Sequence, residues 1–184
     1  TYLGASIEFE QKDIELSVLE KSKYLYLEGY LWDSELAKNA FLKAAQIAKQ
    51  TNTKIILSLS DSFCVDRHRE SFLKLIDEYV DIVFCNESEV LSLFNKDKLA
   101  NCQGELSSIC ELFVVTLGSD GSLIINKDSI EVIKSINQGK VIDTTGAGDI
   151  YAGGFIHGLI NNYSLKKCGE IASICAGQII TQLG

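Results

Sequence analysis

Between the apolar pair Val141-Ile142 and a run of helically spaced apolar residues stands Asp143-Thr-Thr-Gly-Ala-Gly-Asp149. Glycines at 146 and 148 reach backbone angles closed to other residues, and Ala147 is small enough for an anion to approach the main chain. Ile150, Tyr151, Phe155, Ile156, Leu159 and Ile160 recur at helical spacing, so the loop opens a helix. A helix start offers N–H donors without intrahelical acceptors and a partial positive charge, a natural seat for phosphate. Asp149 falls next to that seat, where it can take a proton from a hydroxyl attacking phosphorus. The chemistry this block can do is phosphoryl transfer. A plainer account makes Thr144 or Thr145 a helix cap, Gly-Ala-Gly a tight turn and Asp149 a first-turn acid that suits the helix dipole. The glycines and the acid occur as one block after a strand, which favours the chemical account.

Two other phosphate-binding patterns fail on spacing. A dinucleotide fingerprint needs a third glycine three residues after the second, and position 151 is Tyr. A P-loop needs Gly-x-x-x-x-Gly-Lys followed by Ser or Thr, and no such run occurs.

The elements that must position the block alternate along the chain. Strands are expected at Tyr24–Glu28, Lys54–Leu59, Asp81–Cys85 and Phe113–Leu117, with helices near Asp33–Gln50, Asp66–Tyr79, Glu87–Phe94, Gly148–Asn161 and Ser164–Leu183. Leu123–Asn126 and Ile130–Ile133 read as strand-like stretches joined by a turn at Asn126-Lys-Asp-Ser. The alternation predicts one α/β domain with a mainly parallel, doubly wound sheet and helices on both faces. Ligands of such sheets bind beyond the C-terminal strand ends. Asn86 and Glu89 follow one strand, and Thr116 and Gly118 close another. The polar exceptions of the chain therefore gather at one edge.

Continued as Ile150-Tyr-Ala-Gly-Gly-Phe155, the Asp143–Asp149 block resembles the C-terminal signature of the ribokinase-like (PfkB) carbohydrate kinases. Val80-Asp-Ile-Val-Phe-Cys-Asn-Glu-Ser-Glu89 resembles that family's strand followed by Asn-x-x-Glu, and Val114-Val-Thr-Leu-Gly-Ser-Asp-Gly121 its nucleotide-side strand and turn. Order and separation agree over nearly the whole chain. Tyr26-Leu-Glu-Gly-Tyr30 and Ser60-Asp-Ser-Phe-Cys64 are similar to the adenosine-kinase-like branch.

The resemblance implies a ribokinase-like fold and ATP-dependent phosphorylation of an alcohol group on a nucleoside or sugar, with adenosine favoured. It implies Asp149 as general base and Gly146, Ala147 and Gly148 as an anion hole. Thr116, Gly118, Gly121 and Ala176 would contact the nucleotide, while Asn86 and Glu89 would sit near Mg²⁺ through water. Asp143 and Thr144 would brace the loop or help build a monovalent-cation site. Local alternatives stand beside these roles. Asn86 and Glu89 also fit a capping box, Gly118-Ser-Asp-Gly121 an ordinary glycine turn, and the small residues of Ala172–Gly177 close helix packing. By the same resemblance, residues 1–184 form the C-terminal part of one kinase domain, without the N-terminal half that supplies the lid and most acceptor contacts. An uncovered edge where the lid strands belong would suit a homodimer. Two other functions remain open: a non-catalytic nucleotide-binding module derived from such a kinase, and a kinase for another small alcohol such as a sugar phosphate.

Composition narrows the partners. With 184 residues, 46% of them hydrophobic, the chain can bury a substantial core. A net charge of −8 and only two arginines, Arg67 and Arg69, exclude a general nucleic-acid binder. No apolar run approaches the roughly 20 residues that span a bilayer, and Thr1 opens no signal-peptide pattern. Six cysteines without any Cys-x-x-Cys spacing read as reduced, buried thiols, and so as a cytoplasmic chain. The absence of Met and Pro reads as an incomplete copy of a longer protein. Arg67-His68-Arg69 is expected on a solvated helix face and His157 among packing residues of the late helix.

Overall fold

The computed structural model describes residues 4–136 and 138–183. Six strands, β1 (Tyr24–Glu28), β2 (Lys54–Ser58), β3 (Ile82–Asn86), β4 (Leu112–Thr116), β5 (Ser122–Ile125) and β6 (Ile130–Ile133), form one mixed sheet in sequence order. The helices are α1 (Leu16–Leu19), α2 (Glu35–Thr51), α3 (Ser62–Tyr79), α4 (Glu87–Phe94), α5 (Gln103–Leu106), α6 (Ala147–Ile160) and α7 (Leu165–Ile179). The α/β class expected from the alternation is the class observed. Contacts divide the chain into two compact units, one ending at Phe113 and one starting at Val114.

In the first unit β1, β2 and β3 pair in parallel, Leu27 opposite Leu57 and Leu57 opposite Val83. Ile55, Ile56 and Leu57 are all buried, as a parallel strand covered on both faces requires. Helix α2 buries Ala37, Ala40, Phe41, Ala44, Ala45 and Ala48, one stripe at i, i+3 and i+4 spacing. It starts two residues after the expected Asp33, because Ser34 is the cap and accepts from the Ala37 N–H at 3.4 Å. Asp33 instead closes a 3-10 turn, Gly29–Asp33, whose Trp32 is buried and stacks on Phe72 with ring centroids 5.5 Å apart. The Trp32 indole N–H donates to Ser71 Oγ at 2.9 Å. Truncating such an aromatic would cost about 3–5 kcal/mol, so this turn is firmly fixed to α3.

Helix α3 begins at Ser62, ahead of the expected Asp66, because Asp61 caps it by accepting from the Phe63 and Cys64 N–H groups. On the Arg67-His68-Arg69 stretch Arg67 is exposed, as a solvated face should be, but His68 and Arg69 are half-buried and all three residues make side-chain contacts. Arg67 and His68 both reach Asp33, and Arg69 donates to the Ser92 carbonyl at 2.7 Å while pairing with Asp66.

In the second unit β5 and β6 form an antiparallel hairpin, Ile125 opposite Ile130. Its turn is held by Asn126 Oδ1, which accepts from the Asp128 and Ser129 N–H groups. Helices α6 and α7 pack closely because Gly154 and Gly158 face Ala172 and Cys168, and a Cβ at 158 would lie 2.7 Å from the Cys168 sulfur. His157 does not pack as expected: it is exposed, and its carbonyl accepts from Asn161 Nδ2 at 2.8 Å. Apolar residues surround α6 on most sides, so periodicity could not say which face α7 would cover. Helix α7 ends at Ile179, short of Leu183, since the Ile180 carbonyl accepts from the Ile142 and Asp143 N–H groups at 2.8 and 3.3 Å.

All six cysteines are free thiols; Cys110 and Cys175 are only half-buried. Among the described residues no helix is long and apolar enough to cross a membrane.

Candidate active site

A cavity of about 430 Å³ opens within the second unit, a volume suited to a small-molecule ligand. The end of β4 and the turn after it give one wall, Thr116, Gly118 and Gly121. The start of α6 supplies Thr144, Ala147, Gly148 and Tyr151, and α7 supplies Ser173, Ala176 and Gly177. No residue of this lining carries an ionisable acid or base other than the Tyr151 phenol. Recognition there must come from shape, hydroxyls and main-chain groups.

Gly121 forms the turn wall for a steric reason. Its φ is 99°, and a Cβ there would lie 2.0 Å from the Ile133 carbonyl oxygen. The Leu117 N–H donates back to the Gly121 carbonyl at 2.8 Å, closing the turn. On α7, Ser173 Oγ accepts from the Ile136 N–H and donates to the Lys134 carbonyl, each at 3.1 Å. That pair fixes the segment after β6 along the cavity.

The loop leading into α6 is braced at both ends. Ile142 and Asp143 bind the end of α7, and Asp143 Oδ1 accepts from both the Thr145 N–H (2.9 Å) and its hydroxyl (2.8 Å). Gly146 is then the N-cap, at φ 74° and ψ 1°, and no side chain caps the helix. Neither Thr144 nor Thr145 takes the capping role that the plainer account gave them. The left-handed step at Gly146 turns the chain into α6 with its first-turn N–H groups uncapped by side chains, the arrangement that binds anions. Asp149 is exposed in that first turn.

Asn86 and Glu89 belong to the first unit. They form a complete capping box at the start of α4: Asn86 Oδ1 accepts from the Glu89 N–H at 2.9 Å, and Glu89 Oε2 accepts from the Asn86 N–H at 2.9 Å. Glu89 Oε1 also accepts from Asn86 Nδ2 at 2.7 Å. Burial pushes the Glu89 carboxyl above its ordinary range, the Asn86 N–H opposes that, and the charges of Asp61 and Glu28 push it further up. Hard oxygen donors of this kind suit Mg²⁺. Each Glu89 oxygen already accepts one hydrogen bond within the box.

Thr116, Gly118, Gly121, Thr144, Ala147, Gly148 and Ala176 thus line one cavity, with Gly146 and Asp149 on the turn that enters it. Among the lining residues that sequence reasoning missed are Tyr151, Ser135 and Ile136. Tyr151 carried a usable signal, since it lies four residues after Ala147 and so on the same helix face. Ser135 and Ile136 follow β6 and carried none.

A family model described as pfkB family carbohydrate kinase matches residues 1–184. The chain belongs to this family. Among solved structures, this pfkB-family chain superposes on the adenosine kinase of Sinorhizobium meliloti with a TM-score of 0.96 at 40% identity, covering 100% of this chain and 56% of that one. Among curated relatives, the nucleoside kinase of Methanocaldococcus jannaschii is 33% identical over 144 residues, 78% of this chain and 46% of the relative. The ribokinase of Dictyostelium discoideum is 30% identical, over 98% of this chain and 61% of its own length. The pfkB-family chain therefore spans about half the length of the relatives it matches.

Proposed function

We propose that the complete protein transfers the γ-phosphoryl group of ATP to a hydroxyl of a nucleoside, with adenosine as the first candidate. The observation that carries this reading is the junction of the cavity with the start of α6, where Gly146 turns the chain and Asp149 stands on the first turn. The nucleoside kinases among its relatives support the acceptor class.

In this mechanism the base moiety of ATP lies against Ala176 and Gly177, with Thr116, Gly118 and Gly121 along the opposite wall. Asp149 accepts the proton of the acceptor hydroxyl while that oxygen forms its bond to the γ-phosphorus. The β–γ bridging bond breaks, ADP leaves, and the proton passes from Asp149 to solvent. N–H groups of Gly146, Ala147 and Gly148 donate to the phosphoryl oxygens as charge develops, the kind of fixed donor whose removal costs 10²–10³ in rate elsewhere. Mg²⁺, once bound with ATP, neutralises phosphate charge. Asp143 would keep the loop in place. Six free thiols support a reducing, cytoplasmic setting.

The test is ADP release by the complete protein with Mg-ATP and a panel of adenosine, other nucleosides, ribose, fructose and sugar phosphates. Strong stimulation by a nucleoside supports the proposal. Stimulation by a sugar phosphate alone reassigns the acceptor, and ATP binding without turnover points to a non-catalytic nucleotide-binding module.

A further inference from the structure

Asp33, Cys64 and His68 lie in the first unit and have no part in the chemistry proposed above. Asp33 ends the 3-10 turn after β1, while Cys64 and His68 lie four residues apart on α3 and so on one face of that helix. One ligand atom from each, a carboxylate oxygen, the thiol sulfur and an imidazole nitrogen, lies within 4.8 Å of the other two. A tetrahedral dication with bonds of about 2.0–2.3 Å holds its donors roughly 3–4 Å apart, so small side-chain shifts bring the three into register. We propose that these residues form a binding site for a transition-metal dication of the zinc class.

Three features support the assignment. The donor set is one sulfur, one nitrogen and one oxygen, a mixture that selects zinc or cobalt over magnesium or calcium. Backbone geometry turns His68 toward the group: its φ of −119° and ψ of 20° break the helical run of α3, and Nε2 comes to 2.7 Å from Asp33 Oδ1. Access is asymmetric, with Cys64 buried, His68 half-exposed and Asp33 exposed, so a hydrated ion can enter from solvent and leave its fourth position to water.

Arg67 is the opposing charge. Its Nη2 lies 2.6 Å from Asp33 Oδ2 and its Nε 3.3 Å from Oδ1, which leaves Oδ1 the oxygen shared with His68. Burial first, and then the charge of Asp33, push the Cys64 thiol up to about 11, with Asp61 adding to that and Arg67 opposing it. Binding therefore replaces the S–H bond by a metal–sulfur bond and releases one proton to solvent, while His68 coordinates as neutral imidazole.

The probe is Co²⁺ titrated into the full chain under anaerobic, reducing-agent-free conditions, followed by displacement with Zn²⁺. The expected result is one equivalent of cobalt with a near-ultraviolet thiolate-to-cobalt band and strong tetrahedral visible bands, both erased by zinc. Cys64→Ser should abolish the thiolate band, and His68→Gln, at a half-exposed position that leaves the core intact, should weaken cobalt binding about tenfold or more. Cys175→Ser should leave the spectrum unchanged. Absence of a thiolate band in the folded wild type overturns the proposal. So does a band that survives both Cys64→Ser and His68→Gln, which would place the metal on another cysteine. None of these readouts depends on kinase activity.

Discussion

Tyr151 Oη and Ser122 Oγ lie 2.6 Å apart, joining the cavity face of α6 to the first residue of β5. Both residues are buried, Ser122 at 1% exposure, and burial is also what pushes the Tyr151 phenol above its ordinary range. Tyr151→Phe leaves the Ser122 hydroxyl without this partner and should lower stability by about 1–3 kcal/mol. Adding Ser122→Ala should recover part of that loss, so the double variant unfolds later than the sum of the singles requires. Denaturant unfolding of the four proteins measures it, and strict additivity would mean the contact contributes nothing.

Asp149→Asn keeps the size of the side chain and removes its basicity. In the complete protein kcat should fall by about 10²-fold or more, the scale of lost general-base help, with ATP affinity little changed. Steady-state rates and ATP titration separate the two effects. A near-normal kcat removes Asp149 from the base role.

Gly146→Ala tests the backbone alone, because a Cβ at 146 meets nothing within 4 Å. Any loss then comes from holding a side-chain-bearing residue at φ 74°, a cost of about 1–2 kcal/mol. Gly146→Asn should lose less stability than alanine, since Asn tolerates the left-handed region. If the loop relaxes to escape the strain, turnover falls together with stability.

Glu89 gives a pH signature. Its folded carboxyl is raised above the unfolded one, so the native state binds the proton more tightly. That contribution to stability is fully present below the unfolded pKa and is lost as pH rises through the folded one. The difference in stability between wild type and Glu89→Gln should therefore move against the wild type across this interval. Mg²⁺ near Glu89 favours the ionised form and should shrink the shift for wild type alone. Equal slopes in the two proteins would mean that the Glu89 carboxyl is not raised, and a shift that Mg²⁺ leaves unchanged would remove Glu89 from the metal role.

Strands β1 and β6 and helix α4 fall within the bounds that periodicity and turn residues predict, because each is specified by its own side chains. Asn86 and Glu89, three residues apart, encode their capping box locally, and the box forms. The glycines and acid of Gly146–Asp149 likewise announce a turn into a helix. Local chemistry of this kind is written within a few residues and needs no partner.

Distant partners decided the rest. Asp33 lies outside α2 because Trp32 anchors its turn on Phe72 and because Arg67 and His68 arrive from α3 to bind its carboxylate. Helix α7 stops at Ile179 since a loop some 40 positions earlier donates to the next carbonyl, and His157 faces solvent because α7 chose the opposite side of α6. Ser135 and Ile136 reach the cavity through distant partners, Ser135 donating to the Ser119 carbonyl and the Ile136 N–H to the Ser173 hydroxyl. The sequence by itself determined the alternation of elements, the glycine turn that opens α6 and the family. Tertiary structure decided which faces were buried, where helices ended and which residues enclosed the cavity, because those outcomes depend on groups that meet only after the chain has folded back on itself.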